Sequence, residues 1–155
     1  MRKPKPLAVR KASLGDAISE AFSEFTSLAE EMRAWEENIQ EKFSETGKYA
    51  DVSDAADALE ALDGVVDEGA IHEKLTSVEV EWQDMPQRKR GYSRADRCSH
   101  ACMILDQCVF ALDEITESKE MESDAEIIDA AETLKDEIQQ ARDDAEAITF
   151  PGMFG

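Results

Sequence analysis

The stretch RADRCSHACMILDQC, residues 94–108, places Cys98, His100, Cys102 and Cys108 within eleven positions. Thiolates and imidazoles are zinc ligands and redox groups, so a metal or redox centre is the first chemistry to test. On a helix turning about 100° per residue, Ala95, Cys98, Cys102, Leu105, Val109 and Leu112 share one stripe, with Ala101 and Cys108 at its margin. His100 then lies about 200° from Cys98, beside Asp96, Gln107 and Glu114. Ligands of a tetrahedral site must converge to about 2.0–2.3 Å from one ion, which His100 cannot do without breaking the helix. Cysteine is also a small, readily buried apolar residue. The spacing therefore predicts three core thiols, a solvated His100, and no metal or cofactor.

Other catalytic patterns fail on single positions. A di-iron bundle carries Glu-x-x-His, whereas Gly69 precedes His72 and Arg97 precedes His100 by three. DVSDAADALEALD starts like a calcium loop, but Ala55 and Ala56 stand where an oxygen ligand and a glycine are needed. There is no phosphate-binding glycine loop and no nucleophile elbow. The expectation is a non-enzymatic protein.

The elements that carry these residues are helical. Low glycine and proline with many Ala, Glu and Asp favour helix, and 155 residues suit one core. Residues 1–12, with Pro4 and Pro6, read as a basic extended arm rather than packed structure. Ser13 and Asp16 open a first helix whose seam is Leu14, Ile18, Ala21, Phe25, Leu28, Met32, Trp35 and Ile39, closing at Gly47. A short alanine-rich helix follows from Val52 through Leu59 and Leu62 to Gly64, with a possible turn over 70–75. VEVEW, residues 78–82, alternates as a strand does and needs a partner: it is either a strap across helices or an edge that pairs with a second chain.

Ser93 and Asp96 begin another helix, to about Glu117. Ser123 and Glu126 begin the last, to about Ile148, on the seam Ile127, Ala131, Leu134, Ile138, Ala141, Ala145 and Ile148. The 94–117 helix is apolar round most of its circumference, which predicts a central place with the first and last helices flanking it. The short helix would cover Met103 or Phe110, unless these, with Phe22 or Ala29, meet another subunit. The expected fold is all-α: an antiparallel bundle of three long heptad-patterned helices over 13–148, with one short helix and a single extended segment in the connection. Residues 149–155 form an apolar tail.

Charge restricts the partners. Asp and Glu number 36 against 17 Lys and Arg, a formal net of −19. Such a chain repels nucleic acid and attracts basic surfaces. Its cations cluster at Arg2, Lys3, Lys5, Arg10 and Lys11, and again at Arg88, Lys89, Arg90, Arg94 and Arg97. The last helix offers an acidic face of Glu126, Asp129, Glu132, Asp136, Glu137, Asp143 and Asp144. Phe150, Met153 and Phe154 in the tail, with Met103 and Phe110, are candidate apolar contacts for a partner.

The function these features favour is that of an acidic helical interaction or assembly protein, its partner a protein and one option a second copy joined basic patch to acidic helix. An array of carboxylates on rigid helices also suits a DNA mimic that occupies the basic groove of a nucleic-acid-binding protein. A further alternative is direct nucleic-acid contact through the arm and the 88–97 patch, where Tyr92 adds a stacking ring. No uninterrupted apolar run reaches membrane-spanning length, and the absence of a disulfide framework suggests a cytoplasmic chain, that of a host cell were the chain a phage accessory product.

Overall fold

The alternating segment finds its partner in the arm. In the computed structural model, which describes residues 8–43, 47–85, 91–117 and 125–151, β1 (Val9–Ser13) and β2 (Glu79–Gln83) form an antiparallel two-stranded sheet. The register runs from Val9 opposite Gln83 to Ser13 opposite Glu79. Backbone bonds from Asp84 N to Ala8 O and from Leu14 N to Val78 O extend the ladder at both ends.

This corrects two expectations. The described part of the arm is paired over 9–13, and the described residues hold two extended segments rather than one. Neither a strap alone nor a second chain satisfies β2, because the nearest unpaired backbone is its own. Period-two alternation turns Val80 and Trp82 inward and leaves Glu79, Glu81 and Gln83 exposed. Arg10 lies over the Trp82 ring, 5.6 Å from its centroid, and donates to Glu20 at 2.6 Å.

Most described residues are helical: α1 (Leu14–Phe43), α2 (Gly47–Glu60), a one-turn α3 (Glu73–Thr76), α4 (Arg94–Glu117) and α5 (Ala125–Glu146). The serines before α1 and α4 cap them as their spacing implies. Ser13 Oγ accepts from Asp16 N at 3.2 Å, and Ser93 Oγ accepts from Asp96 N at 3.1 Å. The equivalent Ser123 lies outside the described residues.

Two boundaries differ from the sequence reading. Gly47 does not close α1; it opens α2, one turn or more ahead of the expected start at Val52. Contact with α1 explains the extension: Lys48 sits 5.6 Å from the Trp35 ring, and Val52, Ala55, Ala56 and Leu59 are buried. Gly64 ends the turn after α2 with φ +82°, a conformation that costs glycine little. The uncertain turn resolves into a 3-10 turn at Glu68–Ala70, capped by Asp67, and α3, capped by His72 Nδ1 accepting from Lys74 N.

α4 packs against both α1 and α5, while α2 packs along α1 and also touches α5. Cross-helix contacts give the directions. Arg94 and Arg97 meet Glu31, and Arg97 also reaches back to Glu24, so α1 and α4 are antiparallel. Lys135 meets Asp113 and Arg142 meets Asp106, so α4 and α5 are antiparallel too. The α1 seam from Leu14 to Met32 and the α5 seam from Ile127 to Ala145 are buried, with Trp35, Ile39 and Ile148 half-buried at the ends. Ala95 departs from the expected stripe and is exposed, one residue into the first turn of α4, before α5 covers the helix. No charged or polar residue is buried among the described residues, so carboxylates are confined to the outside.

Arginines clasp neighbouring helices. Arg33 donates through Nε and Nη2 to both oxygens of Glu60, at 2.7 and 2.8 Å, through Nη1 to Glu36 at 2.6 Å, and also to Asp57. The pairing holds the Glu60 carboxyl below its ordinary range. Its stabilising effect is therefore present above the ordinary Glu pKa and is lost as pH falls through the depressed value. Because the cluster is largely open to water, we expect Arg33→Met to cost only about 1 kcal/mol in chemical denaturation. The same variant should remove the acid-side dependence that Glu60 contributes.

Candidate functional site

The sulfurs face inward. Cys98 Sγ donates to Ala145 O at 3.6 Å and Cys102 Sγ to Arg142 O at 3.8 Å, so both thiols lie against the α5 backbone. All three cysteines are buried and free. The contact between the two thiols raises the pKa of Cys102 and lowers that of Cys98, and burial pushes Cys108 up to about 12. Buried and with raised pKa values, Cys102 and Cys108 are protonated, inert thiols at neutral pH. His100 is on the far side of α4 but is not simply solvated: Nε2 donates to Gln83 O at 3.2 Å, satisfying a carbonyl at the end of β2. Among the described residues no group of three or more His, Cys, Asp or Glu is placed to hold a metal.

The apolar candidates separate. Phe150 folds back, half-buried, into a shallow groove that it shares with Met103, Ile148 and Cys102 at the α4–α5 end. Met153 and Phe154 lie outside the described residues. Phe110, two turns beyond Met103, is 60% exposed. The short helix does not cover either, because α2 packs on α1 instead, with Leu59 beside Phe25 and Ala29, rather than on α4. Ala29 is buried, and Phe22 stands edge-on to Phe25 at 5.5 Å. Having little contact to lose, Phe110→Ser should shift stability by no more than about 0.5 kcal/mol in a denaturant titration.

The described basic candidates are already engaged. Arg10 pairs with Glu20, Lys11 with Glu81 at 3.2 Å, Arg94 with Glu31 at 3.5 Å, and Arg97 with Glu24 and Glu31. Arg94 also stands over the Trp35 ring, 5.2 Å from its centroid. Arg2, Lys3, Lys5, Arg88, Lys89 and Arg90 lie outside the described residues.

The acidic candidates stay outward. Glu126, Asp129, Glu132, Asp136, Asp143 and Asp144 are exposed on α5, and Glu137 is half-exposed. Asp143 meets Arg142 at 3.3 Å, and Asp144 accepts from Gln140 at 2.9 Å. Glu126, Asp129 and Glu137 do something more: they border a cleft of about 350 Å³ whose opposite wall is the 3-10 turn and α3. Sequence reading finds the carboxylates but not the cleft, because its other wall comes from a segment some sixty residues earlier. The one local signal is Ile71 and Leu75, four apart and framed by acids.

No helix among the described residues is long and apolar enough to cross a membrane. No protein-family model, curated protein or solved structure matches the chain.

Proposed function

We propose that this chain is a non-enzymatic interaction protein, an antiparallel bundle of three long heptad-patterned helices whose acidic faces engage a protein partner with a basic surface. One observation carries the reading: each described arginine is paired with a carboxylate of its own chain, while α5 keeps a row of carboxylates turned outward. Among the described residues, internal pairing engages the arginines in holding elements together, so the described surface that remains is predominantly acidic. With a net charge of −19, encounter with a basic protein is accelerated and encounter with nucleic acid is opposed. Arg10, Lys11, Arg94 and Arg97 would have to give up their partners to contact phosphate, which weighs against direct nucleic-acid binding.

The same array supports DNA mimicry as a second reading, since carboxylates fixed along a rigid helix suit a groove built for phosphates. Both are tested by immobilising basic proteins, including DNA-binding domains, and titrating the intact chain. Binding should weaken steeply from about 0.05 M to about 0.5 M salt as charge is screened. Displacement by duplex DNA would select the mimic. Failure to bind any basic probe at low salt would overturn the reading. Light scattering across the same salt range identifies the partner as a second copy only if the mass doubles at low salt.

A further inference from the structure

The cleft between α3 and α5 combines two kinds of surface that seldom share one small space. Its floor is apolar: Leu75 and Leu134 are almost fully buried, and Ile71 and Ala130 are partly so. Its rim is anionic, with Asp67 on the 3-10 turn facing Glu126, Asp129 and Glu137 from α5. Among the described residues His72 is the one rim group able to carry positive charge. Its Nδ1 accepts from Lys74 N at 3.1 Å, which leaves the proton on Nε2, 3.8 Å from Glu126. At about 350 Å³ the cleft is at the small end of ligand pockets, room for one or two side chains rather than a cofactor.

We propose that this cleft is the docking point for a basic protein segment, and that it takes one aliphatic side chain flanked by Lys or Arg. An aliphatic group covers Ile71 and Leu134, and its cationic neighbours meet the carboxylates from both walls. Charge complementarity fixes this occupant: an acidic segment or a nucleic acid would meet only repulsion at the rim, and a purely charged chain would leave the floor wet. The inference rests on the reading of a basic partner and adds where that partner binds and which side chain anchors it. Other α5 carboxylates, such as Glu132 and Asp136, are then steering charge without a contact of their own.

The test uses the intact chain and two labelled synthetic peptides, Arg-Arg-Leu-Arg-Arg and the same sequence with Gly for Leu. Fluorescence anisotropy at low salt should show the leucine peptide binding at least about fivefold tighter. Ala130→Phe, which fills the cleft without changing charge, should remove that preference. The combined variant Glu126→Gln, Asp129→Asn, Glu137→Gln should weaken the leucine peptide about tenfold or more, whereas the equally neutralising set Glu132→Gln, Asp136→Asn, Asp144→Asn should weaken it less than about threefold. Circular dichroism and melting of each variant separate loss of docking from loss of fold. Equal binding of the two peptides, or equal loss in the two charge sets, overturns the cleft while leaving a basic partner in place. No binding of either peptide at low salt overturns both.

Discussion

Leu105→Ala is expected to lower the unfolding free energy by about 2–5 kcal/mol, among the largest effects available to a single truncation here. The magnitude follows from position. Leu105 is fully buried at 0% exposure near the middle of α4. On the helix it stands between the side bearing Arg94 and Arg97, which meet α1, and the side bearing Cys98 and Cys102, which meet α5. A cavity there removes contacts to both flanking helices, and close packing leaves little freedom to collapse into it. Urea titration checks this: the midpoint should drop with the slope unchanged. A loss below about 1 kcal/mol would mean that α4 is not the central helix. Phe110→Ser, on the same helix two turns away, is the internal contrast.

Raising the pH should destabilise the protein through Cys108. Its thiol is 0% exposed, and burial alone pushes its pKa from the ordinary 9.0 to about 12. In the unfolded chain the proton leaves near the ordinary value; in the folded chain it stays on until the raised one. Between those limits the unfolded state binds fewer protons, so stability falls as pH rises, by about 1.4 kcal/mol per unit for one such group. Cys108→Ala removes this contribution, so its stability curve should be flatter than that of the parent between pH 9 and pH 12. Lysines titrate in both proteins and cancel in the difference. Parallel curves would show that Cys108 is reached by water. Cys102 is raised as well, so part of the slope should survive in the variant.

Heptad spacing made the long helices legible, because a seam such as Leu14, Ile18, Ala21, Phe25 needs no knowledge of its partner to declare a buried side. Cys98 and Cys102 were readable for the same reason: once placed on a wheel, their side of α4 could only face inward. Serine caps marked where α1 and α4 begin. The errors came from non-local contacts. Gly47 looks like a stop locally, yet α2 starts there because Lys48 and Val52 find α1. The arm looks unstructured, with Pro4, Pro6 and five cations, and only the exposed backbone of β2, some seventy residues away, turns 9–13 into a strand. The acidic face was visible as composition, but the cleft at its edge depends on α3 lying against α5, which periodicity does not encode.

The inward orientation of α4 is the claim on which the outward carboxylates, the clasped arginines and the cleft all depend. Reaction of the native protein with an aromatic disulfide reagent measures it most directly, because all three cysteines lie on that helix. We expect essentially no thiol to react at neutral pH in buffer, and all three to react at once in denaturant. Reaction of Cys98, Cys102 or Cys108 in the native protein at the rate of a free thiol would contradict it.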